Sequence, residues 1–375
     1  MIVVKDIEKY RGCLIGGAAG DALGYAVEFL DEKSIFKKYG ESGITEYSLV
    51  NGVAEISDDT QMTLFTANGL LLGTTRGMTR GIMGKYSDYI SLCYKDWYKT
   101  QYKDITKEEY NYSWLINIPE LHATRAPGNT CLLAIRQGAN GTLEKPISQS
   151  KGCGGIMRVA PIGLYFYEKQ YSQKEVDLIG AEAAAITHGH ELGYIPAAAL
   201  VHIIQLVAHD TDITLLAAVQ ESMAAMKECF PTAKYLDVLL NLMKKAIVLS
   251  SKEMADVDAI RELGEGWVAE ETLAIAIYCS LKYSNSFDKA IIAAVNHGGD
   301  SDSTGAVTGS IMGAYLGLRD IPGKYIEHLE LKDTILEIAD DLYNDCKITE
   351  YSSYHDDVWE HKYIYHDYGR KSGAY

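Results

Sequence analysis

The sequence has few of the features that mark secreted, disulfide-bonded or membrane proteins. Its seven cysteines, at positions 13, 93, 131, 153, 229, 279 and 346, are odd in number, scattered and never spaced as CxxC. Neither a disulfide framework nor a cysteine-only zinc site is predicted, and the expected location is the reducing cytoplasm. The first residues, MIVVKDIEKYRGC, carry charges inside their apolar stretch, which argues against a signal peptide. No apolar run approaches the roughly 20 residues of a membrane span, so no membrane partner is expected.

Positive charge is also scarce. The chain has 35 Lys and Arg residues against 51 Asp and Glu residues, a formal net charge of −16. Such a surface repels a phosphate backbone, so extended nucleic-acid binding is not expected. A small anionic ligand is still compatible with this charge, because backbone N–H groups at helix N-termini bind phosphate without help from basic side chains.

The apolar residues follow helical periods, and alternating strand patterns are rare. The 375 residues contain only 7 prolines, and 47% of the residues are hydrophobic, which is ample for a large core. The pattern predicts helices over 60–72, 197–208, 235–249, 267–283 and 286–296, with 197–208 buried all round. We expect a single all-α domain over 1–375. A Tyr- and Trp-rich insertion at about 86–125 and an aromatic tail at about 351–375 are expected to rim the functional site.

Two stripes of glycine recur every four residues. The first comprises Gly12, Gly16, Gly20 and Gly24, and the second comprises Gly305, Gly309, Gly313 and Gly317. Each glycine inside a helix costs roughly 1 kcal/mol relative to alanine. Two such stripes therefore predict helices whose backbones approach very closely, as small-xxx-small packing allows.

Acidic residues cluster beside these stripes. Asp21 and Glu28 lie in GDALGYAVEF, Asp58 and Asp59 in SDDT, and two further acids in DSDS at 300–303. Each cluster alone is explained by capping, because Ser and Asp at a helix start satisfy free N–H groups and favour the positive end of the helix dipole. If the glycine-striped helices bring the clusters together, however, four carboxylates converge and a cation is needed to offset their repulsion. Carboxylates and hydroxyls favour Mg²⁺, Mn²⁺ or Ca²⁺ over zinc.

Other segments are ambiguous when taken singly. SKGCGGIMRVAPIGL at 150–164 is either a turn or a phosphate-binding loop, and Cys153 within it is interpreted as a small packing residue. His188 and His190 do not have HExxH spacing, so a structural or ligand-contacting histidine is favoured over zinc ligation. RAPGNT at 125–130 indicates a turn with Asn129 or Thr130 as the cap of the next helix.

Together, these segments resemble the ADP-ribosylglycohydrolase family, which includes the type that reactivates dinitrogenase reductase. SDDT early and GGDSDS late, in this order, carry most of the resemblance, which extends from Gly12 to Gly317. It implies an orthogonal multi-helix fold, an ADP-ribose conjugate as substrate, and two divalent cations, Mg²⁺ or Mn²⁺, in a cleft. The metal ligands implied by the matching positions are Ser57, Asp58, Asp59, Asp300, Asp302 and Ser303. The implied substrate-binding residues are Gly152, Cys153, Gly154, Gly155, Met157 and His188. Cys153 stands where many relatives carry Asn.

The implied reaction is hydrolysis of the glycosidic bond between ADP-ribose and an acceptor. Glu28, Asp59 and Asp302 are the candidate catalytic carboxylates, and the sequence does not choose the base among them. The alternatives are a non-catalytic ADP-ribose-binding module, a two-metal hydrolase with another nucleotide-like substrate, and a structural helical protein whose acids only cap helices. The acceptor linked to ADP-ribose and the preference between Mg²⁺ and Mn²⁺ are not readable from the sequence.

Overall fold

The computed structural model describes residues 5–102, 110–167 and 171–369 and confirms the all-α prediction. Within these ranges there are sixteen α-helices, five short 3-10 turns and three isolated β-bridges, with no β-sheet. The helices are α1 Ile7–Tyr25, α2 Glu32–Tyr39, α3 Asp58–Arg80, α4 Tyr86–Gln101, α5 Asn129–Arg136, α6 Ala160–Tyr165, α7 Gln173–Ala185, α8 Glu191–His209, α9 Leu215–Cys229, α10 Leu236–Ser250, α11 Asp256–Leu263, α12 Ala269–Lys282, α13 Phe287–Val295, α14 Ser301–Leu316, α15 Lys332–Asn344 and α16 Asp357–Tyr363.

Each helix predicted from periodicity is present, with shifts at the ends. Ser286 caps α13, because its side chain accepts a hydrogen bond from the Lys289 backbone, and the helix ends at Val295, three residues before Gly298 and Gly299. The predicted cap of α5 is wrong. Gly128 is the cap residue and no side chain caps that helix, so Asn129 and Thr130 already belong to its first turn.

The two glycine stripes meet along the centre of the protein, where α1 and α14 run antiparallel. Gly12 faces Gly313, Gly16 faces Gly309 and Gly20 faces Gly305, so closely that an added Cβ at any of them would lie under 3.0 Å from the opposite backbone. The close backbone approach predicted from the stripes is therefore confirmed. It also brings the end of α1 beside the start of α14, where Gly24 lies against Ser301.

Helix α8 lies in the core. It is the one helix among the described residues that is long and apolar enough to cross a membrane by length and composition, and 83% of its most apolar window is buried inside the protein. A buried core helix of a soluble domain has the same composition, and the all-round burial predicted for 197–208 agrees with this position.

Helix α4 of the aromatic insertion runs along α3, and the tail contacts both α3 and the insertion. Trp97 of α4 donates a hydrogen bond to Gln61 at 3.0 Å, near the acidic start of α3. Trp359 of α16 donates instead to Thr75 at 3.0 Å, about 24 Å along the helix from Asp59 at 1.5 Å per residue. Trp359 therefore lies away from the acidic start of α3, and the expectation that the insertion and the tail rim the site stays a prediction. Residues 103–109 of the insertion and 370–375 of the tail lie outside the described residues.

The last residue of α8 makes the fold sensitive to acid. His209 is buried, its Nε2 donates to the Leu164 carbonyl at 3.1 Å and its Nδ1 has no partner. Burial lowers the pKa of His209 to about 4. Since the unfolded chain binds a proton near pH 6.5 and the folded chain does not, stability contributed by neutral His209 is lost as the pH falls from about 6.5 towards 4.

We expect a His209→Gln variant, whose amide can still donate to Leu164, to lose this acid sensitivity. Between pH 7 and pH 5 the free energy of unfolding of the wild type should fall by about 2 kcal/mol more than that of the variant. Urea unfolding at the two pH values measures the difference. His361→Gln is the control, because His361 is exposed and the hydrogen bond to Asp367 raises its pKa, so its removal should not flatten the profile. Parallel profiles for wild type and His209→Gln would contradict this account.

Candidate functional site

The starts of α3 and α14 meet beside the end of α1. Asp21 ties the start of α3 to α1, and the Gly24–Ser301 contact places the start of α14 there. The Asp21 carboxylate accepts hydrogen bonds from the backbone N–H of Ser57 at 3.0 and 3.1 Å and of Thr60 at 3.1 Å, and from the Thr60 hydroxyl. Ser57 in turn caps α3, as predicted, by accepting from the Asp59 backbone at 3.2 Å. Asp21 therefore fixes the direction in which the next two acids of α3 point.

The predicted metal ligands converge. Carboxylate oxygens of Glu28, Asp300 and Asp302 lie within 4.8 Å of one another, and all three residues are buried. Asp300 caps α14, since its side chain accepts from the Ser303 backbone. Capping and clustering are thus two roles of the same residues. The acids sit at helix N-termini because their charge is favoured there, and the fold turns both N-termini towards one point.

The neighbouring acids of α3 belong to the same cluster. Asp302 is the largest electrostatic influence on both Asp58 and Asp59, which are buried. The backbone N–H of Gly128 donates to Asp58 at 3.3 Å, and the backbone N–H of Asp58 donates to the Arg125 carbonyl at 3.0 Å. The segment 125–128 therefore closes one side of the acidic centre.

Burial without compensating positive charge perturbs every acid of the centre. Burial, followed by repulsion from Asp302 and Asp300, raises the pKa of Glu28 to about 10. Burial and repulsion from Asp302 raise the pKa of Asp21 to about 7, against the hydrogen bonds from Thr60 and Ser57. Burial likewise raises the pKa of Asp302. The pKa values of Asp58, Asp59 and Asp300 lie well above the usual range, mainly because these residues are buried and also because Asp302 repels their charge.

None of the main causes of the pKa shifts of these six acids is a basic side chain. Arg125, the basic residue of the neighbouring segment, is paired at 2.6 Å with Glu55 and at 3.2 Å with Glu330. An acidic cluster in this condition is suited to an added cation.

Two oxygens in the centre have no hydrogen-bond partner although they are buried: Glu28 Oε2 and Asp59 Oδ2. A buried carboxylate oxygen without a partner is costly, and coordination of a cation removes that cost. The donor set consists of carboxylates with the Ser57 and Ser303 hydroxyls, which matches the oxygen preference of Mg²⁺, Mn²⁺ or Ca²⁺. The residues present therefore fit divalent cations.

The glycine-rich loop lies against the start of α14. Cys153 donates its thiol hydrogen to Asp300 Oδ2 with an Sγ–Oδ2 distance of 2.7 Å, and its backbone N–H donates to the Trp267 carbonyl at 3.2 Å. Gly152 forms a β-bridge with Val268. Gly152 and Cys153 are half-buried, whereas Gly154, Gly155 and Met157 are buried. The predicted substrate loop is thus joined to the acidic centre, and its first two residues are its most accessible.

His188 lies behind this loop. It is 2% exposed, and a Cβ added at Gly154 would stand 3.0 Å from its Cε1. Its Nδ1 is 2.8 Å from the Thr187 hydroxyl, and burial lowers its pKa to about 3. In this arrangement His188 supports the loop from within, and its contact with substrate stays a prediction. His190 caps α8 by accepting from the Leu192 backbone at 3.0 Å, so the pair does not form a zinc site.

Arg158, within the segment 150–164, is a buried cation for which the sequence predicts no role. It is fully buried behind the loop, donates to the Thr187 hydroxyl at 2.7 Å and stacks 4.3 Å from the Tyr94 ring centroid. Its Nε has no partner. Asp21 was similarly noted but not assigned to the site. The available signal in both cases was a charged residue inside an otherwise apolar or glycine-rich segment, since such residues are seldom buried without a specific role.

The chain belongs to the ADP-ribosylglycohydrolase family, whose model matches residues 4–350. Mouse ADP-ribosylhydrolase ARH3 is 25% identical over 369 residues, covering 87% of this chain and 88% of its own. The ADP-ribosyl-[dinitrogen reductase] glycohydrolase of Rhodospirillum rubrum is 26% identical over 331 residues, covering 87% and 91%. A solved ADP-ribosylglycohydrolase-related protein complex shares the fold, with a TM-score of 0.61 and 24% identity over 91% of this chain and 99% of that one. The protein is therefore a hydrolytic enzyme of the ADP-ribosyl glycohydrolase type.

Proposed function

We propose that this enzyme is a metal-dependent hydrolase that releases ADP-ribose from an acceptor by cleaving the glycosidic bond between them. The observation that carries the proposal is the buried cluster of six acids, in which two carboxylate oxygens have no hydrogen-bond partner. No basic side chain is among the main causes of the pKa shifts of these acids. A protein whose acids only capped helices would have no need to bury a surplus of negative charge at one point.

The proposed ligands of two divalent cations are Ser57, Asp58, Asp59, Asp300, Asp302 and Ser303. Bound Mg²⁺ or Mn²⁺ would supply charge neutralisation and an anchor for oxygen ligands of the substrate. The chain itself contributes the rigid placement of these oxygens, because both helix starts are held by backbone hydrogen bonds and by the glycine contact between α1 and α14. Such placement is how a site holds a reacting bond in productive geometry.

With cations bound to offset the repulsion that raises its pKa, Glu28 is our first candidate for the residue that takes a proton from the attacking water, with Asp59 and Asp302 as the others. Glu28 lies in the turn that follows α1 rather than at a helix start, and its Oε2 has no partner. It is therefore close to the proposed metal ligands without a capping role of its own.

We expect Glu28→Gln to lower kcat by about 100-fold or more, the usual effect of removing a general base. Stabilisation by Mg²⁺ or Mn²⁺ should survive, which thermal unfolding with and without the cations would show. Glu41→Gln, at an exposed acid, is the matched control. Full turnover by Glu28→Gln with intact metal binding would remove Glu28 from the chemistry and leave Asp59 and Asp302.

A panel of conjugates tests the proposed function. Free ADP-ribose is measured after incubation with arginine-linked, serine-linked and nucleobase-linked ADP-ribose, and with simple phosphoesters. Release from at least one conjugate supports the proposal and identifies the linkage. ADP-ribose binding without release from any conjugate would favour the non-catalytic binding module, and phosphoester turnover would favour a different two-metal hydrolase.

We also propose a reducing compartment such as the cytoplasm as the place of action. The seven cysteines all lie within the described residues and all are free thiols, five of them buried. This is the usual state of cysteines in a reducing environment.

A further inference from the structure

One thiol contacts a proposed metal ligand. Cys153 Sγ is 2.7 Å from Asp300 Oδ2, and Asp300 shares its 4.8 Å cluster with Glu28 and Asp302. The charge of Asp59 and a hydrogen bond with Ser303 also affect the pKa of this thiol. The chain separates Cys153 from Asp300 by 147 residues, so their contact follows from the fold and not from sequence spacing.

The position of the thiol is fixed on both sides. The Cys153 backbone N–H donates to Trp267, Gly152 bridges to Val268, and Gly266 of the same segment packs against Asp300. The loop and the start of α14 are therefore tied to one strip of chain, 266–268. The contact with Asp300 shows that Sγ faces the acids. Cys153 as a whole is half-buried, so its loop is accessible from outside.

A second observation indicates that a ligand belongs at this place. Glu28 Oε2 has no hydrogen-bond partner, although Glu28 is only 7% exposed and belongs to the same cluster as Asp300. Asp300 therefore has a soft donor, the Cys153 thiol, on one side, and belongs to a cluster that contains a buried carboxylate oxygen without a partner.

We propose that Cys153 is a ligand for thiophilic divalent cations, so that Zn²⁺ or Cd²⁺ binds at this centre through Sγ together with the Asp300 carboxylate. The inference rests on the proposed metal centre. On binding, a metal–sulfur bond forms and the thiol proton leaves to solvent, with no change of oxidation state. Thiolate ligands favour Zn²⁺ and Cd²⁺, whereas the surrounding oxygens favour Mg²⁺ and Mn²⁺. Zn²⁺ and Cd²⁺ should therefore compete with the hard cations.

The other thiol near the loop does not share this role. Cys131 is buried, and its Sγ lies 3.9 Å from the Gly154 carbonyl and 3.4 Å from Arg158 Nη1, so it contacts the loop backbone and a buried cation. Cys153 is thus the thiol of the loop region that faces the cluster.

Titration of the metal-free full-length protein with Cd²⁺ tests the inference through ultraviolet charge-transfer absorption of the cadmium–thiolate bond. The wild type should gain this band and saturate at one thiolate per chain. Cys153→Ser, whose hydroxyl can still donate to Asp300, should lose the band and bind Cd²⁺ at least about 100-fold more weakly. Cys229→Ser is the control, because Cys229 is the other half-buried thiol and lies outside the centre. That variant should keep the band.

Stabilisation by Mg²⁺, measured on the same preparations, separates the two claims. No band in the wild type, a band that persists in Cys153→Ser, or a band lost in Cys229→Ser would overturn the inference while Mg²⁺ still stabilises the protein. If neither Mg²⁺ nor Mn²⁺ stabilises the wild type, the proposed metal centre itself fails, whatever Cd²⁺ does.

Discussion

Replacement of Asp58 and Asp302 together by asparagine is expected to abolish both ADP-ribose release and stabilisation by Mg²⁺ or Mn²⁺. Each asparagine can keep the hydrogen bond that its carboxylate accepts, from Gly128 at 3.3 Å and from Ser303 at 2.9 Å, so the change removes charge rather than packing. A cation present at 100 times its Kd stabilises the wild type by about 2.7 kcal/mol. This gain should vanish in the double variant, and turnover should fall by more than about 100-fold.

The metal-free double variant should also be more stable than the metal-free wild type, because two buried acids with raised pKa values are replaced by neutral groups. Thermal unfolding with chelator and with millimolar Mg²⁺ measures both effects. Asp212→Asn/Asp333→Asn removes the same charge from exposed positions and is the matched control. A double variant that Mg²⁺ still stabilises as strongly as the wild type would contradict the assignment of the ligands.

Addition of a single methyl group at Gly309 is expected to destabilise the whole protein. A Cβ there would lie 2.6 Å from the Gly16 carbonyl carbon and closer still to its oxygen. The overlap is between two backbones in the middle of two long helices, so no side chain can move to relieve it. We expect Gly309→Ala to cost about 3 kcal/mol or more, the upper part of the range for overpacking. Because α14 starts with the acids, metal affinity should also fall.

Chemical denaturation measures the cost, and Gly323→Ala is the matched control. A Cβ at Gly323 would have no heavy atom within 4 Å, and its φ is not positive. That substitution should change stability by less than about 0.5 kcal/mol. Equal stabilities for the two variants would show that the α1–α14 contact is looser than the glycine stripes require.

The sequence predicted the local features of the site because they depend on neighbouring residues. Ser57 caps α3 and Asp300 caps α14 through backbone N–H groups two and three residues away, and such contacts follow from residue type alone. The meeting of the end of α1 with the start of α14 was also predictable in outline, since a glycine every four residues has few other uses in a helix.

The contacts between distant segments were not predictable in the same way. Asp21 reaches the start of α3 across 36 residues, and the Cys153 thiol reaches Asp300 across 147. Cys153 was interpreted as a packing residue because nothing within its loop indicates an acidic neighbour. His188 was expected at the ligand; the fold places it behind the glycines, and its contact with the substrate stays a prediction. Trp359 of the tail packs on the far half of α3, a contact that no sequence spacing indicates.

The most direct test of the central claim is a chelator-and-restoration assay of ADP-ribose release. The enzyme is stripped with a chelator, release from a cleavable conjugate is followed over time, and Mg²⁺ or Mn²⁺ in excess of the chelator is then added. The buried carboxylate centre predicts that release stops with chelator and returns with the cation. Release that continues at an unchanged rate in chelator would contradict it, because the six acids would then act without a metal.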